Sequence, residues 1–547
     1  MQGLKEELQK IVGGEVHDDD KTREAFSHDT SLFEVKPEVV VAPRNSQDIK
    51  NLVSFVNKNR AKDPNLSLTA RAAGTCMSGG SLNESIILDF TKHFTHFSVD
   101  EAALRATVEP GVYYRNLEKE TEPKGIVMPS YPASKSIAAL GGMIMNNSGG
   151  EKSLKYGQTQ NFVEEMNVVC SDGNEYTFKK LTKDELEKKK TQDDFEGELY
   201  RRTYDLLENN YDLVQGARPD VAKNSSGYFL WNVWDREHFD LTQLFAGSQG
   251  TLGIFTKAKL KLVKEKSHKR LVVLFFDSWK ELPEVVNAVL PCEPESLESF
   301  DDETLKLGIR FMPEIAKKVG SNLLSFALRF LPEAWIGIKM RGLPKLIVLV
   351  QLVEDSEKEV REKIARVERA VKPFKIQHRV IGSEKEADKY WVMRRESFAL
   401  LRKHVSGKRT APFVDDFCVK PELIPEFLPK MLKILKDHGI RANIAGHAGS
   451  GNFHIIPLMD LTDKTEREKI PVVSDKVYDL IIKYKGTITA EHNDGIIRTP
   501  YLEKMYGPRV YALFREVKEI FDPHNIFNPG KKVDGSLEYM RSHINPK

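Results

Sequence analysis

Two histidines bracket a turn of small residues in the stretch GHAGSGNFH at 446–454. The run RANIA before it and the run HIIPL after it predict two strands, so His447 and His454 should lie at the mouth of one hairpin. A histidine in a tight loop often bonds only to main-chain carbonyl groups, and for this pair alone that alternative stays open. Further along, EHNDGIIR places Glu491 directly before His492. Two imidazoles and one carboxylate, with coordination positions left open, are a ligand set of catalytic Zn2+ or another divalent ion.

Glycine-rich loops recur three times in the first half of the chain. The first, AAGTCMSGGS, stands between two predicted strands, LSLTAR and SIILDF, and the others are ALGGMIMNNSGG at 139–150 and GSQGTLGIFTKAKLKLV at 247–263. Such loops can present main-chain amides to a pyrophosphate, although each one alone could simply turn the chain. In the first loop the glycines lie between two strands and do not open a helix, so the Rossmann dinucleotide fingerprint is not matched there. Together the three loops predict the lining of a long ligand groove.

The elements that must position these residues fall into two groups. EVVVAP at 38–43 predicts a strand, and SQDIKNLVSFVNKN predicts an amphipathic helix that Ser46 caps. The highly charged segment 179–210 is typical of a solvated helical excursion. From residue 264 a strand followed by a helix occurs twice, which predicts a second domain with helices on a mainly antiparallel sheet.

Composition excludes several classes of protein. The chain has 547 residues and a formal net charge of +2, so no global field favours nucleic acid or anionic lipid. Its four cysteines form no CxxC pair, which argues against an intrinsic iron-sulfur cluster or a zinc ribbon and favours a reduced, cytoplasmic protein. The amino terminus MQGLKEELQK carries charges where a signal peptide needs an apolar core.

The most apolar part of the chain is 321–353, but charged residues interrupt it before a membrane span accumulates. Its segment 321–345 mixes aliphatic, aromatic and basic residues, which could form a peripheral contact with the inner face of a membrane. The alternative is a buried helix that leads into the buried strand LIVLVQLV.

Eight motifs follow one another along nearly the whole chain: FSHDTSLFEVKPEVVVAPRNSQDI, RAAGTCMSGGSLN, GGMIMNNSGG with YGQT, PDVAKNSSGY, GSQGTLGIFT, GHAGSGNFH, EHNDGIIR and FDPHNIFNPGKK. In this ordered set the chain resembles the FAD-linked oxidases and dehydrogenases with a vanillyl-alcohol-oxidase (PCMH) type FAD domain, and within them the D-lactate, glycolate and D-2-hydroxyglutarate dehydrogenase branch. The resemblance implies an α+β fold: a leader at 1–35, a PCMH-type FAD-binding domain of two subdomains at 36–263, a ferredoxin-like cap or substrate domain at 264–500, and a segment at 501–547 that returns to the FAD domain.

The resemblance also implies roles for individual residues. His447, His454 and Glu491 match the metal ligands of metal-dependent members, His492 matches the base, and Arg394 in YWVMRRESF matches an arginine that binds the substrate carboxylate. Arg394 could instead be an exposed helix residue. The residues expected to bind FAD are Arg71, Ala73, Gly74, Thr75, Cys76, Met77, Ser78, Gly79, Pro129, Ser134, Gly141, Gly142, Asn146, Asn147, Gly149, Tyr156, Gly250, Thr251, Gly253 and Ile254.

Two further residues lie near the expected flavin. Cys76 could attach the flavin covalently or be a buried small side chain, and the first loop has no histidine that could do so. In relatives, the lysine that matches Lys531 closes the fold near the cofactor. Three departures from the family pattern are Ser450, the pair Asn493–Asp494, and Val414, which stands in the region where 2-hydroxyglutarate enzymes carry a lysine; Lys408 or Arg409 could compensate for that lysine.

The implied activity is an FAD-dependent, metal-assisted oxidation of a small 2-hydroxy acid, such as D-lactate or glycolate, to the 2-oxo acid. The metal would be Zn2+, Mn2+ or Fe2+. The sequence carries no cysteine-rich module after KKVDGS, so we expect electrons to pass to an external acceptor: a quinone, an electron-transfer flavoprotein or a separate iron-sulfur subunit. Two alternatives remain open, a non-catalytic flavin relay subunit and a flavin lyase or synthase of the alkyl-glycerone-phosphate type.

Overall fold

Two larger sheets and two small ones form the first half of the chain. The computed structural model describes residues 3–318, 322, 328–404 and 407–546. In the first sheet, two parallel pairings follow one antiparallel pairing, in the order Glu15–His17, Val39–Ala42, Ile86–Asp89 and Leu68–Arg71. The second sheet is antiparallel throughout, in the order Phe97–Asp100, Arg105–Val108, Ile254–Lys261, Val163–Val169 and Glu175–Lys179. Two small two-stranded sheets pair Leu181–Thr182 with His238–Phe239 and Ile126–Val127 with Val263–Lys264.

The predicted strand and helix near the amino terminus are both present. All four residues of the strand Val39–Ala42 are buried, as expected of a parallel strand covered on both faces. The helix Ser46–Asn59 buries its apolar stripe, but its cap is Asn45 and not Ser46. Asn45 has an extended backbone and its side chain accepts a hydrogen bond from the amide of Asp48, whereas Ser46 is already helical.

The charged segment 179–210 contains the helices Lys183–Lys190 and Phe195–Asn209. Our expectation of a solvated excursion was correct for the first of these, where only Leu186 is buried. It was wrong for the second, because Tyr200 and its apolar neighbours on one face pack into the core of the five-stranded sheet. The charges lie on the opposite face, and a simple charge count therefore hides the apolar stripe. The other helices of this half are Leu4–Gln9, Asp20–Phe26, Tyr114–Thr121, Leu140–Asn146, Ser153–Tyr156, Tyr211–Gly216 and Thr242–Phe245.

The second half is built on an antiparallel sheet of eight strands, as the repeated strand–helix pattern predicted. Seven strands lie in the order Gln377–Ile381, His268–Phe276, Leu346–Glu354, Ser296–Asp301, Arg441–His447, Asn452–Met459 and Arg409–Thr410, and Phe417–Cys418 also pairs with Asn452–Met459. The helices of this half are Leu282–Val289, Asp302–Arg310, Met312–Lys318, Leu331–Lys339, Glu357–Val371, Glu384–His404, Ile424–Asp437 and Lys464–Lys483. We call this half the cap domain.

The apolar stretch of the cap divides into a buried strand and an exposed helix. Leu346–Glu354 is a central strand, as predicted. The helix Leu331–Lys339 is not the buried helix of the alternative interpretation, since Trp335 is 61% exposed and Ile338 is 68% exposed. Residues 321 and 323–327 of the same segment lie outside the described residues. Within the part of the chain that the structure describes, no helix is both long enough and apolar enough to cross a bilayer.

The carboxy-terminal segment packs back onto the first half of the chain. The helix Leu502–Phe521 contributes apolar residues to the core of the five-stranded sheet, and Phe527 pairs as an isolated bridge with Leu68 of the four-stranded sheet. A second bridge joins Ile544 to Phe33. Two short helices, Gly495–Arg498 and Leu537–Ser542, flank this return.

Candidate functional site

The predicted histidine hairpin is present at one end of the cap sheet. The strands Arg441–His447 and Asn452–Met459 pair antiparallel, with His454 opposite Ala445. The turn between them places the two imidazoles 5.1 Å apart, ring centre to ring centre. Residues 486–490, which lead to Glu491, form no strand, and Thr487 makes a single bridge to Cys418.

A buried carboxylate, and not a strand, holds the loop that carries Glu491 and His492. Asp416 accepts hydrogen bonds at Oδ2 from the Thr489 hydroxyl and from the amides of Ala490, Glu491 and His492, at 2.6–2.9 Å. Burial raises the pKa of Asp416, but the charges of His492, His454 and Arg498 together outweigh burial, and the pKa lies below its ordinary value. An ionised carboxylate therefore fixes three consecutive amides of the loop.

Three side chains converge on one point, as predicted for the metal ligands. Glu491 Oε1 lies 3.1 Å from His447 Nε2 and 3.3 Å from His454 Nε2. The opposite ring nitrogens are both occupied: His447 Nδ1 contacts Glu298 Oε1 at 2.6 Å and His454 Nδ1 contacts the carbonyl oxygen of Asp415 at 3.2 Å. A carboxylate or carbonyl behind each imidazole is the usual environment of metal-binding histidines.

The protonation of His454 and Glu491 suits a cation, whereas the charges of Glu298 and Glu491 outweigh burial at His447 and raise its pKa. The carbonyl of Asp415 can only accept, so His454 carries its proton on Nδ1 and directs a lone pair from Nε2 at Glu491. Burial lowers the pKa of His454, which keeps it neutral, whereas burial is outweighed at Glu491 by Lys223 and His447, which hold its pKa well below the ordinary range. A neutral imidazole nitrogen then faces a carboxylate oxygen with no proton between them, and a divalent ion would relieve that repulsion.

A second triad of potential ligands overlaps the first. Asp416, His454 and His492 also bring ligand atoms within 4.8 Å of one another. However, Asp416 Oδ2 already accepts four hydrogen bonds and Oδ1 accepts one from Asn452. The donor set His447, His454 and Glu491 therefore fits a metal better.

Two charged residues that we did not predict complete the cluster. Lys223, fully buried, donates from Nζ to Glu491 Oε2 at 2.8 Å, so Glu491 is bound on one oxygen and presents the other to the histidines. Glu298 holds His447 on one oxygen and, on the other, lies 3.2 Å from Arg394 Nη2. Arg394 is buried, which is inconsistent with the alternative of an exposed helix residue.

The predicted base, His492, lies beside the triad. Its ring stacks on that of His454, with centroids 4.9 Å apart and planes inclined by 13°. Its Nδ1 contacts Asp415 Oδ2 at 2.7 Å. Burial lowers the pKa of His492, but Asp416 and Asp415 raise it to about 9. A cation at the neighbouring ligands would act in the opposite direction.

The predicted groove is a cleft between the first sheet and the glycine-rich loops. Eleven of the expected FAD-binding residues line it: Arg71, Ala73, Gly74, Thr75, Cys76, Gly141, Gly142, Asn146, Gly250, Gly253 and Ile254. The other nine do not line this cleft: Met77, Ser78, Gly79, Pro129, Ser134, Asn147, Gly149, Tyr156 and Thr251. Among these, Asn147 and Thr251 use their side chains for hydrogen bonds within the protein.

Features of the cleft fit an extended polar cofactor. A Cβ atom built on Gly142 would meet nothing within 4 Å, so at this position the main chain borders open space. Ser81, which also lines the cleft, has a buried hydroxyl with no hydrogen-bond partner in the described part of the chain. An open glycine and an unsatisfied buried hydroxyl are what a phosphate or ribityl group would use.

The cleft and the histidine cluster adjoin each other. Gln249 lines the cleft, donates to Asn146 Oδ1, and accepts a hydrogen bond from the amide of Gly495. Asn493, one of the departures from the family pattern, donates to the carbonyl oxygens of Asn146 and Gly247. The loop that carries the predicted base is therefore bonded directly to the wall of the cleft.

The remaining departures from the family pattern are Asp494, Val414 and Ser450. Asp494 accepts from Lys532 Nζ and from the Gly227 amide in the core. Val414 is buried and belongs to the apolar core of the cap. Nothing in the structure explains Ser450.

The residues that sequence reasoning missed are Asp415, Asp416, Glu298 and Lys223. The pair Asp415–Asp416 interrupts the run APFVDDFCV, and Glu298 stands in the buried strand SLESFD. Charged residues inside apolar runs were the available signal, since charges are rarely buried without a partner.

Two family models match the chain and define the class of protein to which this fold and this cleft belong. Residues 37–179 match the family model of the FAD binding domain, and residues 265–532 match that of the FAD linked oxidases, C-terminal domain. The chain belongs to the FAD-linked oxidase family.

Relatives in the same family carry several names. The chain is 27% identical over 523 residues to the D-2-hydroxyglutarate dehydrogenase of Escherichia coli (strain K12), covering 93% of this chain and 49% of that protein. It is 27% identical to glycolate oxidase subunit GlcD of Bacillus subtilis, covering 96% of each, and 26% identical to a D-lactate dehydrogenase of Archaeoglobus fulgidus, covering 90% and 91%. The chain spans about half the length of the first curated relatives it matches.

Solved structures support the fold. The 4-ethylphenol oxidase from Gulosibacter chungangensis superposes with a TM-score of 0.68 at 16% identity, covering 98% of this chain and 97% of that one. An alkyldihydroxyacetonephosphate synthase superposes with a TM-score of 0.65 at 16% identity, covering 97% and 86%. Enzymes of different chemistry share this architecture, so the likeness concerns the fold alone.

Proposed function

We propose that the protein catalyses the FAD-dependent, metal-assisted oxidation of a small 2-hydroxy acid, D-lactate or glycolate-like, to the 2-oxo acid. The observation that carries the proposal is that the loop with Glu491 and His492 is bonded to the wall of the cleft. Asn493 of this loop donates to the carbonyl oxygen of Asn146. Because of this bonding, the candidate ligands and the candidate base His492 lie beside the cleft. The relatives named D-2-hydroxyglutarate dehydrogenase, glycolate oxidase subunit GlcD and D-lactate dehydrogenase agree with this substrate class.

The chain's own residues would divide the work as follows. His447, His454 and Glu491 would hold a divalent ion, Zn2+, Mn2+ or Fe2+, through two nitrogens and one oxygen. Bound there, the ion would polarise the hydroxyl and carboxylate oxygens of the substrate, while FAD would accept two electrons. His492 would take the hydroxyl proton at Nε2, because its Nδ1 is engaged with Asp415.

Substrate orientation would fall to Arg394. Its guanidinium is anchored by Glu298, which also holds the metal ligand His447. A planar guanidinium pairs with a carboxylate in two parallel bonds, so it would fix the acid group of the substrate relative to the metal. Glu298 would in this way set the spacing between the substrate-binding residue and the metal.

The electron acceptor would be external: a quinone, an electron-transfer flavoprotein or a separate iron-sulfur subunit. The four cysteines are buried free thiols at distant points of the sequence, which gives this chain no thiolate cluster ligands of the usual spacing. A relay subunit would have no use for a buried ligand set beside the cleft, and that counts against the first alternative function. The synthase alternative rests on fold likeness alone.

One surface of the cap suits a peripheral membrane contact. Trp335, Ile338 and Leu331 are each more than 60% exposed on the helix Leu331–Lys339. From 309 to 345 the sequence has seven lysine or arginine residues and two glutamates, an excess of +5 against +2 for the whole chain. Exposed apolar side chains with a basic surround favour the surface of an anionic bilayer.

Anaerobic bleaching of the flavin tests the proposed activity. The reconstituted protein would be mixed with D- and L-2-hydroxy acids, before and after chelation, and in parallel as the His492→Ala variant. We expect one enantiomer to bleach the visible flavin absorbance. We expect chelation and the His492→Ala substitution each to abolish this bleaching. Flavin that is bound yet reduced by none of the acids would contradict the proposal.

A further inference from the structure

Asp415 lies between the two histidines that the proposed function uses for different tasks. Its side chain and its main chain serve them separately: Oδ2 contacts His492 Nδ1 at 2.7 Å, and the carbonyl oxygen contacts His454 Nδ1 at 3.2 Å. The side chain is completely buried, so water does not compete for these contacts. No family motif singled out this residue.

The second oxygen of Asp415 is also engaged. Arg498 Nη2 donates to Asp415 Oδ1, and Arg498 Nη1 donates to the carbonyl oxygen of Asn493 at 3.0 Å. Arg498 is itself fully buried. The guanidinium thus fixes the carboxylate on one side and the residue after His492 on the other, which leaves the carboxylate one orientation.

This arrangement determines which nitrogen of His492 can accept a proton. An arginine-bound carboxylate acts as an acceptor, so the hydrogen between Asp415 and His492 lies on Nδ1. In the neutral ring the lone pair is then on Nε2. The stacking of the ring on His454 fixes its plane, and the amide of His492 is held by Asp416.

We propose that the Asp415 side chain, itself held by Arg498, is the positioning residue that sets the tautomer and orientation of His492. The inference rests on the proposed function, in which His492 is the base. Asp415 contacts substrate in no step. Because its carbonyl group alone serves His454, the side chain can be altered without removing the contact behind a metal ligand.

The variant Asp415→Asn uses this separation. An asparagine amide can donate to Nδ1 and so reverse the tautomer of His492, while the carbonyl contact to His454 stays. We expect the rate constant for flavin reduction at saturating substrate to fall on the order of 10⁴-fold, as when an aspartate that orients a catalytic histidine is replaced by asparagine. The half-saturating substrate concentration and the metal content should stay within about threefold, since ground-state binding is unchanged.

A matched control is Asp240→Asn, which removes a partly buried carboxylate that bonds within its own loop to Thr242. It should leave the reduction rate unchanged. An Asp415→Asn variant that keeps the wild-type rate would overturn the proposal. A variant that loses metal or FAD together with the rate would also overturn it, because the side chain would then be structural.

A second measurement separates this inference from the proposed function. Nitrogen-15 NMR of histidine-labelled, metal-free protein reports the tautomer directly when it is recorded at alkaline pH, above the raised pKa of His492, where the ring is neutral. The His492 signals would be assigned by His492→Ala. We expect the Nδ1-protonated form in the wild type and its loss in Asp415→Asn. If no hydroxy acid reduces the flavin, the proposed function fails, and the NMR result still decides whether Asp415 sets the tautomer. An unchanged tautomer in the variant would refute the positioning role.

Discussion

At the residue scale, the site is organised around carboxylates that each bind at least two partners. Glu491 holds Lys223 on one oxygen and faces two imidazoles with the other, and Glu298 joins His447 to Arg394. Each carboxylate is buried, so an unmatched charge would be costly and every oxygen needs a cation or a donor. The geometry of the cluster follows from this requirement.

The variant Lys223→Met tests the charge balance at Glu491. Without the ammonium group, a buried carboxylate has no lysine beside it, and we expect the metal-free protein to lose about 3–5 kcal/mol. A divalent ion would restore the balance, so adding Zn2+ or Mn2+ should raise the melting temperature more in the variant than in the wild type. Thermal unfolding with and without metal measures the difference.

The matched control is Lys389→Met. Lys389 is an equally buried lysine that pairs with Glu333 in the cap. Its loss should lower stability by an amount that metal does not change. Equal metal-induced shifts in wild type and Lys223→Met would mean that Lys223 does not share Glu491 with a metal.

At the element scale, the flavin cleft depends on loops that bring main chain, without side chains, to an open space. The helix Leu140–Asn146 carries Gly141 and Gly142 in its first turn. A Cβ on Gly141 would collide with the Pro110 carbonyl oxygen at 2.6 Å, so this glycine allows close packing. Gly142 packs against nothing and faces the cleft, so it affects a ligand but not the fold.

The variant Gly142→Val should therefore weaken FAD binding without unfolding the protein. Its side chain would project into the space that the cofactor needs, and we expect affinity to fall by a factor on the order of ten or more, equivalent to about 1.4 kcal/mol. The ratio of bound flavin absorbance to protein, followed by titration of apoprotein with FAD, measures it. Gly216→Val, at another open helical glycine away from the cleft, is the control. Full FAD affinity in Gly142→Val would mean that the cofactor binds elsewhere.

The exposed helix Leu331–Lys339 is the element that would meet a membrane. We expect the holoprotein to float with liposomes that contain anionic lipid, and to float less with neutral liposomes or at high salt, because basic residues contribute to the contact. The double variant Trp335→Ser, Ile338→Ser should stay in the unbound fraction. Val472→Ser, which removes a half-exposed apolar residue from another helix, should bind like the wild type. Absence of flotation with every lipid composition would remove the membrane contact.

At the scale of the whole molecule, ion pairs and the carboxy-terminal return hold the two halves together. Arg395 of the cap forms a two-bonded pair with Glu151, two residues after the loop glycine Gly149. Lys531, near the end of the chain, is buried and donates to the carbonyl oxygen of Leu82 at 2.8 Å. These contacts fix the ligand cluster of the cap against the flavin cleft.

The buried Lys531 should make stability depend on pH at the alkaline end. Burial lowers its pKa from 10.5 to about 8, so between pH 8 and 10.5 the unfolded chain binds a proton that the folded chain does not. Stability must rise with pH where the unfolded state binds more protons. Relative to Lys531→Met, the wild type should therefore gain stability as the pH rises from 7.5 to about 10. Denaturant midpoints of both proteins, measured across this range, check the direction, and parallel curves would contradict it.

The amino-acid sequence determined which elements exist and which residue types meet. The short runs RANIA and HIIPL predicted the hairpin strands around His447 and His454, and the repeated strand–helix pattern predicted the antiparallel cap, because local hydrophobic patterns decide which face of an element is buried. The ordered motifs further predicted the flavin-binding loops and the candidate ligands His447, His454 and Glu491, which the fold brings together. These properties depend on residues close together in the chain or on recognisable motifs.

Only the tertiary structure determined which side chains bond to these candidate ligands and to His492. Glu298 lies 149 residues before His447, and Lys223 lies 268 residues before Glu491, so no local pattern could connect them. Asp415 and Asp416 interrupt an apolar run in the sequence, and in the fold they hold His492 and the main chain of its loop. Burial of a charge requires a partner, but the sequence does not state which one, because the choice is made by strands and loops that meet only when the two halves pack together.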